Sequence, residues 1–199
     1  MKKAEDRRVR RTRAALQAAL MALMTEKGYE STTVQDIIDR ANVGRATFYS
    51  HFADKKTLLV SRIEDLRSAL VERQRQPTRR PNGQPAHFAF SLAMLEHAAA
   101  NAQVWKAISE SEGGAFVLRR IHDMLADLVR SELGWLGLTR GSFHREMLVQ
   151  HITGAFMGTM LSWIDDGAKL PPAELDEIFR RLVMPGLSAE LWSLAKGAR

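Results

Sequence analysis

The chain has 199 residues, 45% of them hydrophobic and 26% charged, the balance of a folded globular protein rather than a disordered one. It contains no cysteine, which excludes a disulfide framework, a cysteine zinc site and a thiol nucleophile, and fits a reducing cytosol. The net charge of +6 is uneven: residues 1–60 hold 12 Lys or Arg against 7 Asp or Glu, leaving 17 against 16 for the rest. Such asymmetry marks either a segment that meets a polyanion or a solvated basic tail.

The charged start, MKKAEDRRVRRTR, leads into no apolar run, so no secretory signal is expected. Leu16, Leu20, Leu23 and Met24 then share one helical face, and the stretch stops at Gly28, a C-terminal cap. Val34, Ile37, Ile38 and Ala41 form a shorter stripe, opened by a capping box of Thr32 with Gln35 or of Thr33 with Asp36. A third helix is expected from about Arg45 to Phe52. A fourth follows the N-cap Asp54 and turns Leu59, Ile63, Leu66 and Leu70 inward.

The stretch QPTRRPNGQP, Gln76 to Pro85, holds three prolines and a glycine and marks the main break in texture. Beyond it Phe88, Leu92, Leu95 and Ala99 suggest a fifth helix, Trp105 a sixth, and Val117, Ile121, Met124 and Leu128 a seventh. Gly134, Gly137 and Gly141 punctuate the next turn. A long eighth helix is expected from about Ser142 to Asp166, and a ninth from Pro172 that breaks at Pro185-Gly186 before a helical tail. No strand alternation is present, so the fold class is all-α, with about nine helices. Met147 to Ile164 lacks Asp, Glu, Lys and Arg, yet Gln150, His151, Thr153, Ser162 and two glycines make it a buried interface helix, not a membrane span.

One segment carries chemistry. Residues 28–58, GYESTTVQDIIDRANVGRATFYSHFADKKTL, combine a buried stripe, a break at Asn42-Val43-Gly44 and a second short helix: a helix-turn-helix. Asn42 and Gly44 suit the unusual backbone angles of the turn. Val43, Phe48 and Phe52 point inward, leaving Arg45, Thr47, Tyr49, Ser50 and His51 outside, the hydrogen-bonding side chains a helix in a major groove requires.

Gly28, Tyr29, Thr32, Thr33, Val34, Ile37, Ala41, Val43, Thr47, Phe48, Tyr49, His51, Phe52 and Lys55 stand at the offsets of the tetracycline-repressor (TetR) head, which the segment resembles. Asn42 and Ala46 replace its usual glycines and Gly44 its usual serine. The resemblance is specific over about residues 8–60. It implies a DNA-binding head over 1–60, with a basic arm over 1–13, and a helical body for dimerisation and effector binding over 61–199.

By position, the resemblance implies that Arg45, Thr47 and Ser50 face the bases, and that Thr33, Gly44, Tyr49, His51 and Lys55 meet phosphates. The arm, seven basic residues between Lys2 and Arg13, is open to the minor groove, to nonspecific attraction, or to no contact at all. The last two long helices are expected to pair with a second copy through Phe156, Met160, Trp163, Ile178, Phe179 and Leu182. A small-molecule effector would meet Phe88, Met94, His97, Trp105, Phe116, His122 and His151, unless the body docks a protein instead. The expected partners are thus a double-stranded operator, a second copy and an effector, with no membrane, in the cytoplasm.

No cofactor or metal is expected, since His144 and His151 lack a third ligand at suitable spacing. Nor is an enzyme: there is no Gly-x-Ser-x-Gly elbow, phosphate loop or His-Glu-x-x-His pair.

Overall fold

The computed structural model describes residues 2–75, 88–111, 114–135 and 143–197, and the side chains of all of these but 2–6, 135, 143, 144 and 187–197. Among the described residues it is all-helical: α1 (Lys2–Ser31), α2 (Val34–Ala41), α3 (Arg45–His51), α4 (Lys55–Arg75), α5 (Phe90–Ala100), α6 (Ala102–Glu110), α7 (Gly114–Trp135), α8 (Phe143–Asp165) and α9 (Pro172–Gly197). The Gln76–Pro85 break, Gly137 and Gly141 lie outside the described residues, as do the side chains of His144 and of the tail beyond Gly186.

Two compact units form. The first takes in Met1–Ser68 and Gln103–Arg119, the second Ala69–Ala102 and Arg120–Arg199. In the first unit Leu16, Leu20 and Met24 of α1, Ile37 of α2, Phe48 of α3 and Leu58 of α4 are at most 1% exposed. Burying each such side chain stabilises the fold by roughly 1.5–3 kcal/mol. The Gln17 amide on α1 donates to Ser61 Oγ (3.2 Å) and Asp65 Oδ2 (2.6 Å) on α4. Trp105, Ile108 and Val117 of the same unit are also buried. Gly114 is obligatory at the start of α7, because a Cβ there would lie 1.7 Å from the Ile108 carbonyl oxygen.

The basic arm is helical, since α1 already begins at Lys2. Arg7, Arg8, Arg10 and Arg11 are exposed on that helix. An α-helix is about 10–12 Å across with its side chains, too wide for a minor groove of about 6 Å, so the arm serves that groove only if it unwinds.

The second unit is built around an aromatic chain. Phe88 meets Phe90 (centroids 6.1 Å apart), Phe90 meets Phe156 (6.1 Å) and Phe156 meets Phe179 (5.1 Å), all edge to face. Beside them Arg180 donates to Asp176 Oδ2 (2.6 Å), the Phe88 carbonyl (2.6 Å) and Ser91 Oγ (2.9 Å), while Ser91 also donates to Asp176. The ion pair is buried, and these extra hydrogen bonds offset its desolvation. Gln74 on α4 donates to Glu132 Oε2 (2.6 Å) and the Leu128 carbonyl (3.2 Å) on α7.

This packing turns most residues of the expected pairing surface into their own chain. Phe156, Met160, Trp163 and Phe179 are at most 7% exposed within their own chain, so they have almost no surface left for a partner. Ile178 is half-buried, and Leu182 alone of the six is open, at 75% exposure. The exposed stripe of α8 is Met147, His151, Gly154, Gly158 and Ser162.

A correction concerns Pro185: α9 runs through it. Proline removes one hydrogen bond, to the carbonyl four residues earlier. Both Pro185 and Arg181 are exposed, so water serves the freed carbonyl and the helix tolerates the loss. Among the described residues no helix is long and apolar enough to cross a membrane.

Candidate nucleic-acid interface

The head begins where α1 turns. Gly28 has φ 78° and ψ 164°, a backbone that glycine adopts without the penalty a Cβ brings. Thr32, fully buried, donates its hydroxyl to the Gly28 carbonyl (2.7 Å). The capping box at the start of α2 is Thr33 with Asp36: Thr33 Oγ1 accepts from the Asp36 N–H (3.1 Å), and Asp36 Oδ2 accepts from the Thr33 N–H (2.7 Å). The Thr33 hydroxyl also donates to that carboxylate (2.6 Å). Lys27 sits 2.8 Å from it, and Lys27 first, then Thr33, holds the Asp36 carboxyl well below the usual carboxylate range. Thr33 therefore meets a phosphate with its hydroxyl proton only by releasing Asp36.

Asn42 ends α2 in the left-handed region (φ 51°, ψ 50°), as its place in the turn requires. Gly44 does not need its freedom: it is extended, at φ −66° and ψ 148°, and a Cβ there would have ordinary contact with Thr47 Oγ1 at 3.9 Å. The expectation of an unusual angle at Gly44 is thus a correction, and α3 begins without a side-chain cap.

Within α3, Phe48 is fully buried and Phe52, its C-cap, is 2% exposed; Val43 is half-buried. Arg45, Thr47, Tyr49 and Ser50 are exposed, and His51 is half-buried. Tyr49 is 47% exposed, with its ring edge-on to Phe48 at 5.3 Å. Arg45 lies over the Tyr49 ring at 5.7 Å and reaches Gln35 Oε1 by a long hydrogen bond of 3.4 Å, weak enough for a better acceptor to replace. The Ser50 hydroxyl donates to the Thr47 carbonyl (2.7 Å). Arg13 of α1 stacks on Phe52 at 5.0 Å, tying the basic helix to the far end of α3.

Lys55 behaves unlike a surface charge. Its ammonium donates to the carbonyls of Tyr29 (3.0 Å), Glu30 (3.1 Å) and Thr32 (2.9 Å) and lies 4.5 Å from the Tyr29 ring centroid. Next to it Asp54 caps α4, accepting from the Thr57 N–H (2.6 Å) and hydroxyl (2.8 Å). The Thr57 backbone N–H, then its hydroxyl, lowers the Asp54 carboxyl pKa. Nothing in the spacing of residues 28–58 revealed the Lys55 contacts, because they depend on where α1 ends in space.

The residues expected to line an effector site do not share one compact unit. Trp105 and Phe116 belong to the first, where Phe116 carries the Lys56 ammonium on its ring at 5.1 Å. In the second, Phe88 and Met94 are core, His97 and His122 half-buried, and His151 exposed on α8.

Comparison with known proteins agrees with this geometry. A family model described as bacterial regulatory proteins, tetR family, matches residues 16–61, and one described as a transcriptional regulator C-terminal region matches residues 88–185. The uncharacterized HTH-type transcriptional regulator YxbF of Bacillus subtilis is 26% identical over 182 residues, which is 87% of this chain and 45% of that protein. The chain spans less than half the length of the curated relatives it matches. Among solved structures, a TetR transcriptional regulator from Streptococcus agalactiae is 27% identical, with a TM-score of 0.65 over 92% of this chain and 99% of that one. NalD of Pseudomonas aeruginosa, the secondary repressor of a multidrug efflux pump, shares the fold at 17% identity, with a TM-score of 0.64 over 89% of this chain and 97% of its own.

Proposed function

Since the chain belongs to the tetR family of DNA-binding transcriptional regulators, we propose that it binds a near-palindromic operator as a homodimer and represses transcription from it in the cytoplasm. The observation that carries the reading is α3 itself: it buries Phe48 and Phe52 and presents Arg45, Thr47 and Ser50 to solvent on one short helix. A helix of that kind enters a major groove, where side chains read base edges. Arg45 is the specificity residue, since its guanidinium spans guanine O6 and N7 in a two-pronged contact. Thr47 and Ser50 read beside it. Gly44, Tyr49 and His51 border the phosphates, and Thr33 joins them once it releases Asp36.

The second copy docks on the open parts of α8 and α9. Leu182 and Met147 are exposed, Ile178 is half-buried, and a Cβ built on Gly154 or Gly158 meets nothing within 4 Å. Small residues four apart let two helices approach closely. Repression follows from occupancy, as a dimer seated on an operator blocks polymerase without further parts.

The test is Arg45→Ala on an operator duplex and its single-base variants. We expect discrimination to fall by about 1–3 kcal/mol at one position in each half-site, with other positions unchanged. An equal loss across all sequences, with a salt slope smaller by about 1, would instead make Arg45 a phosphate contact and remove it from base reading.

A further inference from the structure

After Gly28 the chain leaves the axis of α1, and the carbonyls of Tyr29, Glu30 and Thr32 converge on one point. A lysine ammonium has three N–H donors and no acceptor. Lys55 Nζ lies 3.0, 3.1 and 2.9 Å from those three oxygens, so every donor is engaged, and the Tyr29 ring faces the charge at 4.5 Å. The turn of α1 beyond the Gly28 kink has no basic residue of its own, so the cation on its carbonyls comes from α4. Its position works against α4, since a positive charge in a first turn opposes the helix dipole and no acidic residue shares that turn. What compensates is the carbonyl cluster together with the carboxylate of the N-cap, Asp54.

From this we infer that Lys55 is a positioning residue, which sets the pose of α3 by clamping the Tyr29–Thr32 turn, and is not a phosphate contact. The turn passes straight into Thr33, the N-cap of α2, and α3 is suspended between α2 and α4. The ammonium therefore joins the end of α1, the start of α2 and the start of α4. A phosphate would reach it only by displacing a carbonyl already in hydrogen-bond range. The inference rests on the DNA-reading role proposed above.

The experiment compares Lys55→Gln and Lys55→Arg with wild type in the full chain. Affinity is measured against salt for an operator selected by the wild type and for a scrambled duplex of equal length, alongside amide exchange of the DNA-free protein. We expect both variants to lose at least tenfold in the operator-over-scrambled ratio, with an unchanged salt slope. Exchange in α2 and α3 should rise at least tenfold, because a planar guanidinium does not reproduce three convergent N–H groups.

A Lys55→Gln slope reduced by about 0.9, with ratio and exchange at wild-type values, would make Lys55 a phosphate contact and overturn the inference. A lower melting temperature with an unchanged ratio in the folded protein would overturn it too, leaving only a stabilising contact. Should Lys55→Gln not fold, Lys55→Arg, which keeps the charge, decides by the same readings. If the wild type prefers no sequence, the DNA-reading proposal fails by itself, and unchanged exchange in the variants is what would overturn the clamp.

Discussion

At the N-cap of α3 the Gly44 backbone lies in an extended region open to any L-residue, and a Cβ has room. Serine there would cap the helix and shrink the unfolded ensemble. Gly44→Ser is therefore expected to stabilise the protein by about 0.5–1 kcal/mol, read as a rise in denaturant midpoint; a fall would mean that the N-cap geometry is wrong. Phe48 is the opposite case. It is fully buried against Tyr49 and Phe52, and Phe48→Ala should cost about 3–5 kcal/mol in chemical unfolding. A cost below 1 kcal/mol would show that α3 is not packed as described. Phe48 and Phe52 were legible in the sequence because they stand four apart, one on α3 and one at its C-cap, among mostly polar neighbours. Lys55 was not: its partners are backbone carbonyls, and no side-chain pattern encodes where a carbonyl points. The Thr33–Asp36 capping box was legible as one of two pairs at the right spacing, but the Lys27 ammonium on the same carboxylate was not, since it depends on where the end of α1 lies in space.

The pairing of α7 with α8 illustrates what an element adds. Arg130 on α7 grips Glu146 on α8 through two hydrogen bonds (3.0 and 2.7 Å), and Gln150 adds a third (3.0 Å). Arg130 first, then Gln150, lowers the Glu146 carboxyl from 4.5 to about 2. A depressed folded pKa means that this stability is fully present above about pH 4.5 and is lost as pH falls through about 2. Glu146→Gln should therefore lower the melting temperature at pH 7 and make progressively less difference toward pH 2, with a smaller effect at high salt because the pair is half-exposed. An equal deficit at both pH values would contradict the charged contact. At this scale the sequence reading located each helix of α2 to α9 closely, since apolar period and caps such as Asp54 and Pro172 act locally. The outward face of α8 and α9 was not legible: Phe156, Met160 and Phe179 have the spacing of an interface, and only tertiary packing decides whether the interface lies within one chain or between two. Pro185 misled in the same way, as the cost of a lost hydrogen bond depends on whether water reaches the freed carbonyl.

For the whole molecule, the basic excess of the first 60 residues and the outward face of α3 point to one task, and the open stripe on α8 is the surface that the proposed dimer would use. Gly158→Arg tests the dimer cleanly, because a Cβ there meets none of the described residues within 4 Å and arginine favours a helix more than glycine does. The variant should fold normally and sediment as a monomer; a persistent dimer would place the interface elsewhere. The most direct test of the central claim is selection of binding sites from random duplex DNA by the wild-type protein, followed by a salt titration of the selected duplex. We expect a near-palindrome with half-site centres about one helical turn, roughly 34–36 Å, apart, and binding that weakens with salt at a log–log slope of about −0.9 per neutralised phosphate. A pool without consensus, bound only at low salt, would show that the head is no more than a basic surface and contradict sequence reading by α3.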